Sequence, residues 1–336
     1  GTAGHGVAYL FPTFTMRVEA DLEPFDGLAE QVTEAWHEVA RAARIDAHSV
    51  PVAARGQRLS AHDTLLASYA TLAEGLACAR WAERHLRPAT VATSFSMGLY
   101  AALVYTEALS LEPAIALLGY IHELAAARQA QDATFSLGAV MGPTIDEVRA
   151  ALPQPSGLEL SVDYGERVCL VCGPSAEVER FCSRLAVPPV RTLVLPVAVP
   201  FHTSRLDPLQ AEIEARVAAT PVYPPRIPVV SSSNAEVLTS ADAVRRELVR
   251  NIAHPIHWKA AVDTVLGEGA TEFVECGFTR ELGDLLRRDR PHLTRIHQFA
   301  PSNVEPNGAA SAGAGSSAPQ AAGSSAPQTA GSDEAP

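Results

Sequence analysis

Lysine is almost missing from this chain. Of the 26 basic residues among 336 only Lys259 is a lysine, and no basic run occurs. With 38 acidic residues the formal net charge is −12. A surface without a cationic stretch is a poor partner for nucleic acid or for an anionic membrane. The preference for arginine reads as GC-rich coding, not as chemistry. No 18-residue uncharged apolar run is present, so no spanning helix is predicted. The opening GTAGHGVAYLF has neither the charged nor the apolar region of a signal peptide. These absences predict a soluble, cytoplasmic chain. Cysteine is sparse too, at five. Cys169 and Cys172 fall in VCLVC, a strand pattern in which residues three apart face opposite ways. The expectation is buried, reduced thiols, with no disulfide and no metal site.

What is present suffices for a large core: 47% of residues are apolar and only 19% charged. The last 36 residues are nearly all Ala, Gly, Ser, Pro and Gln, with AGSSAPQ twice. That composition cannot offset the entropy of ordering, so 301–336 is expected to be a flexible linker or tail. A chain that opens without Met and closes on such a segment is expected to neighbour other domains.

The rest alternates. Strands are predicted at 7–11 and 89–93, and helices at 65–85, 99–110 and 112–129, an order that points to a helix-covered parallel sheet. Between 135 and 199 the order becomes strand 136–141, helix 145–152, strands 158–163 and 167–171, helix 175–185 and strand 191–197. This β-α-β-β-α-β run is the ferredoxin-like unit. The body then resumes with a strand at 227–230, helices at 242–250 and 258–266, a strand at 272–275 and a helix at 280–288. The predicted fold class is α/β, with residues 1–133 and 198–300 as the large part and 134–197 as an inserted α+β subdomain.

One segment carries a chemical signal. ATSFSMGLYAAL reads as strand, tight turn and helix around S-x-S-x-G, a variant of the nucleophile elbow. Ser94 and Gly98 are small enough for the sharp turn. Ser96 stands at the start of the next helix, where the Met97 N–H and the helix dipole can stabilise an oxyanion. Alone, the same residues also fit an ordinary βα turn with a capping serine. A serine nucleophile needs a base. His202, in VAVPFHTSRL, follows an apolar strand that Pro200 breaks, which aims it across a strand end, where open α/β sheets form their sites. A capping or surface histidine remains the alternative there.

These residues, with others in order, resemble the malonyl-CoA:acyl carrier protein transacylases and the acyltransferase domains of polyketide synthases, over residues 7 to about 290. YLFP at 9–12 stands for that family's F-P-G-Q-G opening, SFSMGLYAAL for its G-H-S-L-G-E elbow and VPFHTSRL for its strand end carrying the histidine. RNIAHPIHW at 250–258 resembles its Q-L-x-x-P-V-x-W segment, and FVECG at 273–277 its E-x-G-P strand. The resemblance implies an α/β-hydrolase-like large subdomain with the ferredoxin-like insertion. It implies ping-pong acyl transfer, with Ser96 as nucleophile and His202 as general base. An acyl-CoA or acyl-carrier thioester would be the donor, and the phosphopantetheine thiol of an acyl carrier protein the acceptor. CoA or phosphopantetheine is then substrate, and no cofactor is implied. In the family a main-chain carbonyl orients the histidine; the matching position is taken as Asn251.

The departures bear on substrate. The opening motif's oxyanion-hole Gln falls on Phe14, which keeps only its N–H, and the elbow's His is Phe95. Malonyl-type members carry a carboxylate-binding Arg 25 residues after the serine; here that position is Ile121. Phe95, Ile121 and Phe201 are expected to line an apolar acyl pocket. Arg128, two turns beyond Ile121, is the one cation expected within reach of it. His62, His122 and His254 lie near site elements with no assigned part.

The first expectation is therefore transfer of a non-carboxylated acyl group in polyketide or fatty-acid biosynthesis. An editing thioesterase would use the same pair with water as acceptor, and family hydrolases also lose the Arg. A malonyl transferase and a non-catalytic docking domain are the further alternatives. An acidic carrier protein needs a local basic patch, for which Arg245, Arg246 and Arg250, or Arg280, Arg287, Arg288 and Arg290, are candidates; solvated helix faces explain them equally.

Overall fold

The computed structural model describes residues 6–13, 21–49, 60–129, 134–197 and 199–300. The expected tail at 301–336 and Phe14 lie outside them.

Eleven strands among the described residues form two sheets. In chain order they are β1 (Gly6–Phe11), β2 (Val91–Ser94), β3 (Phe135–Met141), β4 (Glu159–Gly165), β5 (Val168–Pro174), β6 (Arg191–Val197), β7 (Val229–Val230), β8 (Val237–Leu238), β9 (Ile256–His257), β10 (Ala270–Glu275) and β11 (Ile296–Gln298). The helices are α1 (Leu28–Ala43), α2 (Ala61–His85), α3 (Gly98–Tyr105), α4 (Leu111–Gln129), α5 (Ile145–Ala151), α6 (Ser175–Leu185), α7 (Gln210–Ala218), α8 (Ala241–Ala253), α9 (Trp258–Gly267) and α10 (Glu281–Asp289).

The large sheet runs β11-β10-β1-β2-β7-β8 and is parallel except for the β7–β8 edge. Its central strand shows why a parallel sheet needs apolar residues throughout. Val7, Tyr9 and Phe11 of β1 face the cluster built on α1–α4, α7 and α8, whereas Ala8 and Leu10 face the cluster of α9 and α10. With a period of two and helices on both faces, every β1 residue is buried. Helix α2 is buried along most of its length because it runs under α1, α3 and α4. Ser60 caps its start by accepting from the Asp63 N–H.

The small sheet runs β6-β3-β5-β4-β9. Its first four strands are antiparallel in the ferredoxin-like order, with α5 and α6 as the crossovers. The fifth strand is borrowed. β9 comes from the large part and pairs parallel with β4, so the insertion is stitched to the body beside the site. All five cysteines are buried and free.

Three differences from the sequence expectations have physical causes. α1 and α7 were not anticipated; each shows only a narrow apolar stripe (Leu28, Ala35, Val39; Ile213, Val217) on a polar helix. The helix expected to reach 110 stops at Tyr105. Glu107 turns left-handed (φ 64) while its N–H and that of Ala108 close on the Val104 and Leu103 carbonyls. No glycine marks that reversal. Finally, the strand before His202 is, as expected, the last of the ferredoxin-like run, so the strand end that presents the histidine lies at the edge of the small sheet and is not one of an open parallel sheet. No helix among the described residues is long and apolar enough to cross a membrane.

Candidate active site

Strand β2 ends at Ser94, and the chain turns at once into α3. The Phe95 N–H is tied to the Phe11 carbonyl at 2.8 Å, and Gly98, Leu99 and Tyr100 N–H groups close on residues 95–97. Ser96 sits at the apex with φ 53. A left-handed serine costs about 1–3 kcal/mol, tolerated where the surroundings over-determine it. Gly98 is the reason the turn closes: a Cβ there would lie 2.1 Å from the Phe11 carbonyl oxygen, so only glycine passes beneath the end of β1. Met97 precedes α3 as its cap, and its N–H has no main-chain acceptor among the described residues. That leaves a donor beside the serine at a helix start.

His202 arrives from the other side, on the turn that follows β6. Its backbone is also left-handed (φ 64) and its N–H binds the Ile252 carbonyl in the last turn of α8 at 2.8 Å. The ring then bridges two elements. Nδ1 lies 3.2 Å from the His254 carbonyl, and Nε2 lies 2.7 Å from Ser96 Oγ. A carbonyl only accepts, so Nδ1 carries the hydrogen and Nε2 offers its lone pair to the serine hydroxyl. Burial pushes the imidazole pKa down to about 4. At neutral pH the ring is therefore an unprotonated base.

The orienting carbonyl is that of His254, not of Asn251. His254 caps α8 in an extended conformation (ψ 147), which turns its carbonyl out of the helix toward the imidazole. Asn251, one turn earlier, does something else. Its buried Nδ2 donates 3.1 Å to the Ser96 carbonyl and holds the elbow itself.

The pocket residues also part company. Phe95 and Ser96 are neighbours at the turn, yet their side chains diverge: that of Ser96 reaches His202. Phe95 points down, stacked on Tyr164 (5.2 Å, 11°) and edge-on to Trp258 (5.8 Å), in the cluster beneath the sheet. Ile121, 1% exposed, lies in the opposite cluster, and Phe201 is half-buried against that same cluster. Phe95 and Ile121 thus pack in different clusters, with Ile121 and Phe201 in one and Phe95 in the other. Arg128 is half-buried in the last turn of α4.

His62 and the His254 ring are exposed, whereas His122 is buried, 3.1 Å from Ser68 and edge-on to Phe201. Neither arginine group forms a patch of one sign. Arg245 pairs with Asp242, Arg246 and Arg250 with Glu236, Arg280 and Arg287 with Asp284, Arg288 with Asp289 and Arg290 with Asp263. Among the described residues no group of three or more His, Cys, Asp or Glu side chains is arranged to hold a metal ion.

Sequence reasoning missed the His254 carbonyl, because every residue has one. It also missed the Asn251–Ser96 bond and the Ser68–His122 pair, whose members lie 155 and 54 positions apart.

No family model matches the chain. The polyketide biosynthesis protein ThaF of Burkholderia thailandensis is 31% identical over 239 residues, covering 69% of this chain and 20% of that protein. The malonyl CoA-acyl carrier protein transacylase of Escherichia coli K12 is 30% identical over 112 residues, 33% of this chain and 36% of that one. The chain is homologous to the malonyl-CoA:acyl carrier protein transacylases and to polyketide synthase acyltransferases. It spans about a fifth of ThaF, and the match takes in about a third of the transacylase. A malonyl-transacylase solved in complex with its type II polyketide synthase acyl carrier protein has the same fold, with a TM-score of 0.75 and 20% identity over 89% of this chain and 96% of that one.

Proposed function

We propose that the chain is an acyltransferase that carries a non-carboxylated acyl group from a CoA or carrier thioester to the phosphopantetheine thiol of an acyl carrier protein. The 2.7 Å contact between Ser96 Oγ and the lone pair of a neutral His202 carries the reading. His202 Nε2 takes the serine proton as Oγ attacks the thioester carbonyl. The Met97 N–H faces the developing oxyanion. Collapse expels the thiol, which leaves with the proton from His202, and an acyl-Ser96 ester remains. The carrier thiol then gives its proton to His202 and attacks the ester; the acyl–oxygen bond breaks, Ser96 Oγ takes the proton back from His202, and the carrier departs acylated. The His254 carbonyl keeps the tautomer in which both steps work. No cofactor is required.

Two observations support exclusion of a carboxylate. Ile121 is buried in apolar surroundings, and burial keeps the neighbouring His122 uncharged, with its pKa near 4. A carboxylate left there without a partner costs several kcal/mol. The same reading makes 134–197 a subdomain inserted in the body.

Intact mass after incubation with acetyl-, butanoyl-, hexanoyl- and malonyl-CoA tests the proposal, with Ser96→Ala as control. An alkanoyl adduct that the variant lacks, and that a holo carrier protein collects, is the expected result. Release of free acid in place of acyl carrier would make the protein a hydrolase. A malonyl adduct would overturn the substrate class and point to Arg128.

A further inference from the structure

The buried imidazole of His122 uses only one of its nitrogens. Its Nε2 lies 3.1 Å from Ser68 Oγ of α2, while the Ser68 hydroxyl reaches the Thr64 carbonyl, one turn back, at 3.0 Å. A hydroxyl has one proton to give. Both contacts are hydrogen bonds only if that proton goes to Thr64 and the imidazole supplies its own hydrogen from Nε2. The arrangement fixes the tautomer and leaves a lone pair on Nδ1. Among the described residues nothing donates to that atom. Burial keeps the ring uncharged, so it stays an acceptor rather than becoming a cation.

Its place in the fold brings this ring within one aromatic side chain of the catalytic pair proposed above. The His122 ring meets Phe201 edge to face at 5.4 Å, and the Phe201 ring is 6.4 Å from that of His202. The surroundings on this side are otherwise apolar, with Ile121 the preceding residue and Phe201 packed against the same cluster.

We propose that His122 is a specificity-determining residue whose Nδ1 accepts a hydrogen bond from a hydroxyl on the acyl chain, so that the site selects hydroxyacyl groups. The inference rests on the acyl-Ser96 chemistry proposed above. A plain alkyl chain leaves the acceptor unpaired, and a keto oxygen sets a second lone pair against it. Only a hydroxyl satisfies it. One neutral hydrogen bond in a buried site sets the scale of the preference at about tenfold.

The experiment measures rates of Ser96 acylation by mass for paired pantetheine thioesters: butanoyl against 3-hydroxybutanoyl and 3-oxobutanoyl, and hexanoyl against 5-hydroxyhexanoyl. The native protein is expected to favour at least one hydroxyacyl group over its plain partner by about tenfold, with the 3-oxo group disfavoured. His122→Phe should bring that ratio to about one. Ser68→Ala, which removes one hydroxyl and frees the tautomer, should lower it part of the way. Each readout is a ratio on one protein, so a general loss of activity cancels. Acylation that ignores the hydroxyl, or a ratio unmoved in both variants, overturns the inference and leaves the proposed function standing. No adduct from any thioester sinks both.

Discussion

Ser96 is held by contiguous chain, whereas His202 is held by a distant helix end. On the serine side, strand β2, the turn and α3 follow one another directly, and the glycine two residues on lets the elbow slip under β1. On the histidine side, the ring and its own N–H are tied to the His254 and Ile252 carbonyls, some fifty positions away. The two sides meet across the seam between the parallel sheet and the inserted one. Both central residues carry left-handed backbone, which only a stiff surround maintains. The difference teaches that the serine turn is encoded locally, while the histidine that meets it depends on a helix end some fifty positions along the chain.

The largest effect should come from removing the base. His202→Ala is expected to slow Ser96 acylation by about a thousandfold in single-turnover mass measurements, with little change in melting temperature. A loss under tenfold would mean that another group takes the proton.

Next is the packing of the elbow. Gly98→Ala drives a Cβ into the Phe11 carbonyl and should cost about 3 kcal/mol or more, read as a lower denaturant midpoint. A neutral result would show that β1 yields, and that the serine side is softer than the histidine side.

Asn251→Leu tests the one side-chain bond that ties α8 to the elbow. It should cost about 1–3 kcal/mol and slow acylation, since the buried Ser96 carbonyl loses one of its two donors and keeps the Leu99 N–H. A stability loss with unchanged acylation would show that the elbow keeps its geometry without help from α8.

The remaining effects are those of pH. His202 titrates near 4 in the folded protein, so kcat/KM should hold steady from pH 7 to about 5 and fall only near 4. An acid limb at 6.5, the ordinary histidine value, would mean that water reaches the ring. The stability contribution follows the same direction. A histidine whose folded pKa is depressed is most stabilising above 6.5 and loses that contribution as pH falls toward 4. Beneath the elbow the sign reverses. Tyr164, stacked on Phe95, donates to the buried Glu281, whose pKa burial raises to about 7. That contribution weakens as pH rises from 4.5 through 7, so Glu281→Gln should stabilise at pH 8 by up to roughly 3 kcal/mol and change little at pH 4.

These contrasts separate what was legible in the sequence from what was not. The S-x-S-x-G turn, the β-α-β-β-α-β order of the insertion and α6 at 175–185 could be read in place, because each rests on neighbouring residues. α1 and α7 escaped because their apolar stripes are narrow. The packing of Phe95 could not be read in the sequence, because Tyr164, on which it stacks, comes from the insertion. The orienting carbonyl was placed one helical turn early. A main-chain oxygen has no sequence signature, and only the cap conformation of His254 shows where it points.

Composition, hydrophobic periodicity and turn residues by themselves determined the two-part α/β architecture and the position of the Ser96 turn, since these follow from interactions between near neighbours. Tertiary structure alone decided which carbonyl lies against the His202 ring, which cluster each aromatic ring packs in and which buried side chains stay neutral. Each of these depends on bringing together residues far apart in the chain, where exclusion of water sets both hydrogen-bond geometry and charge.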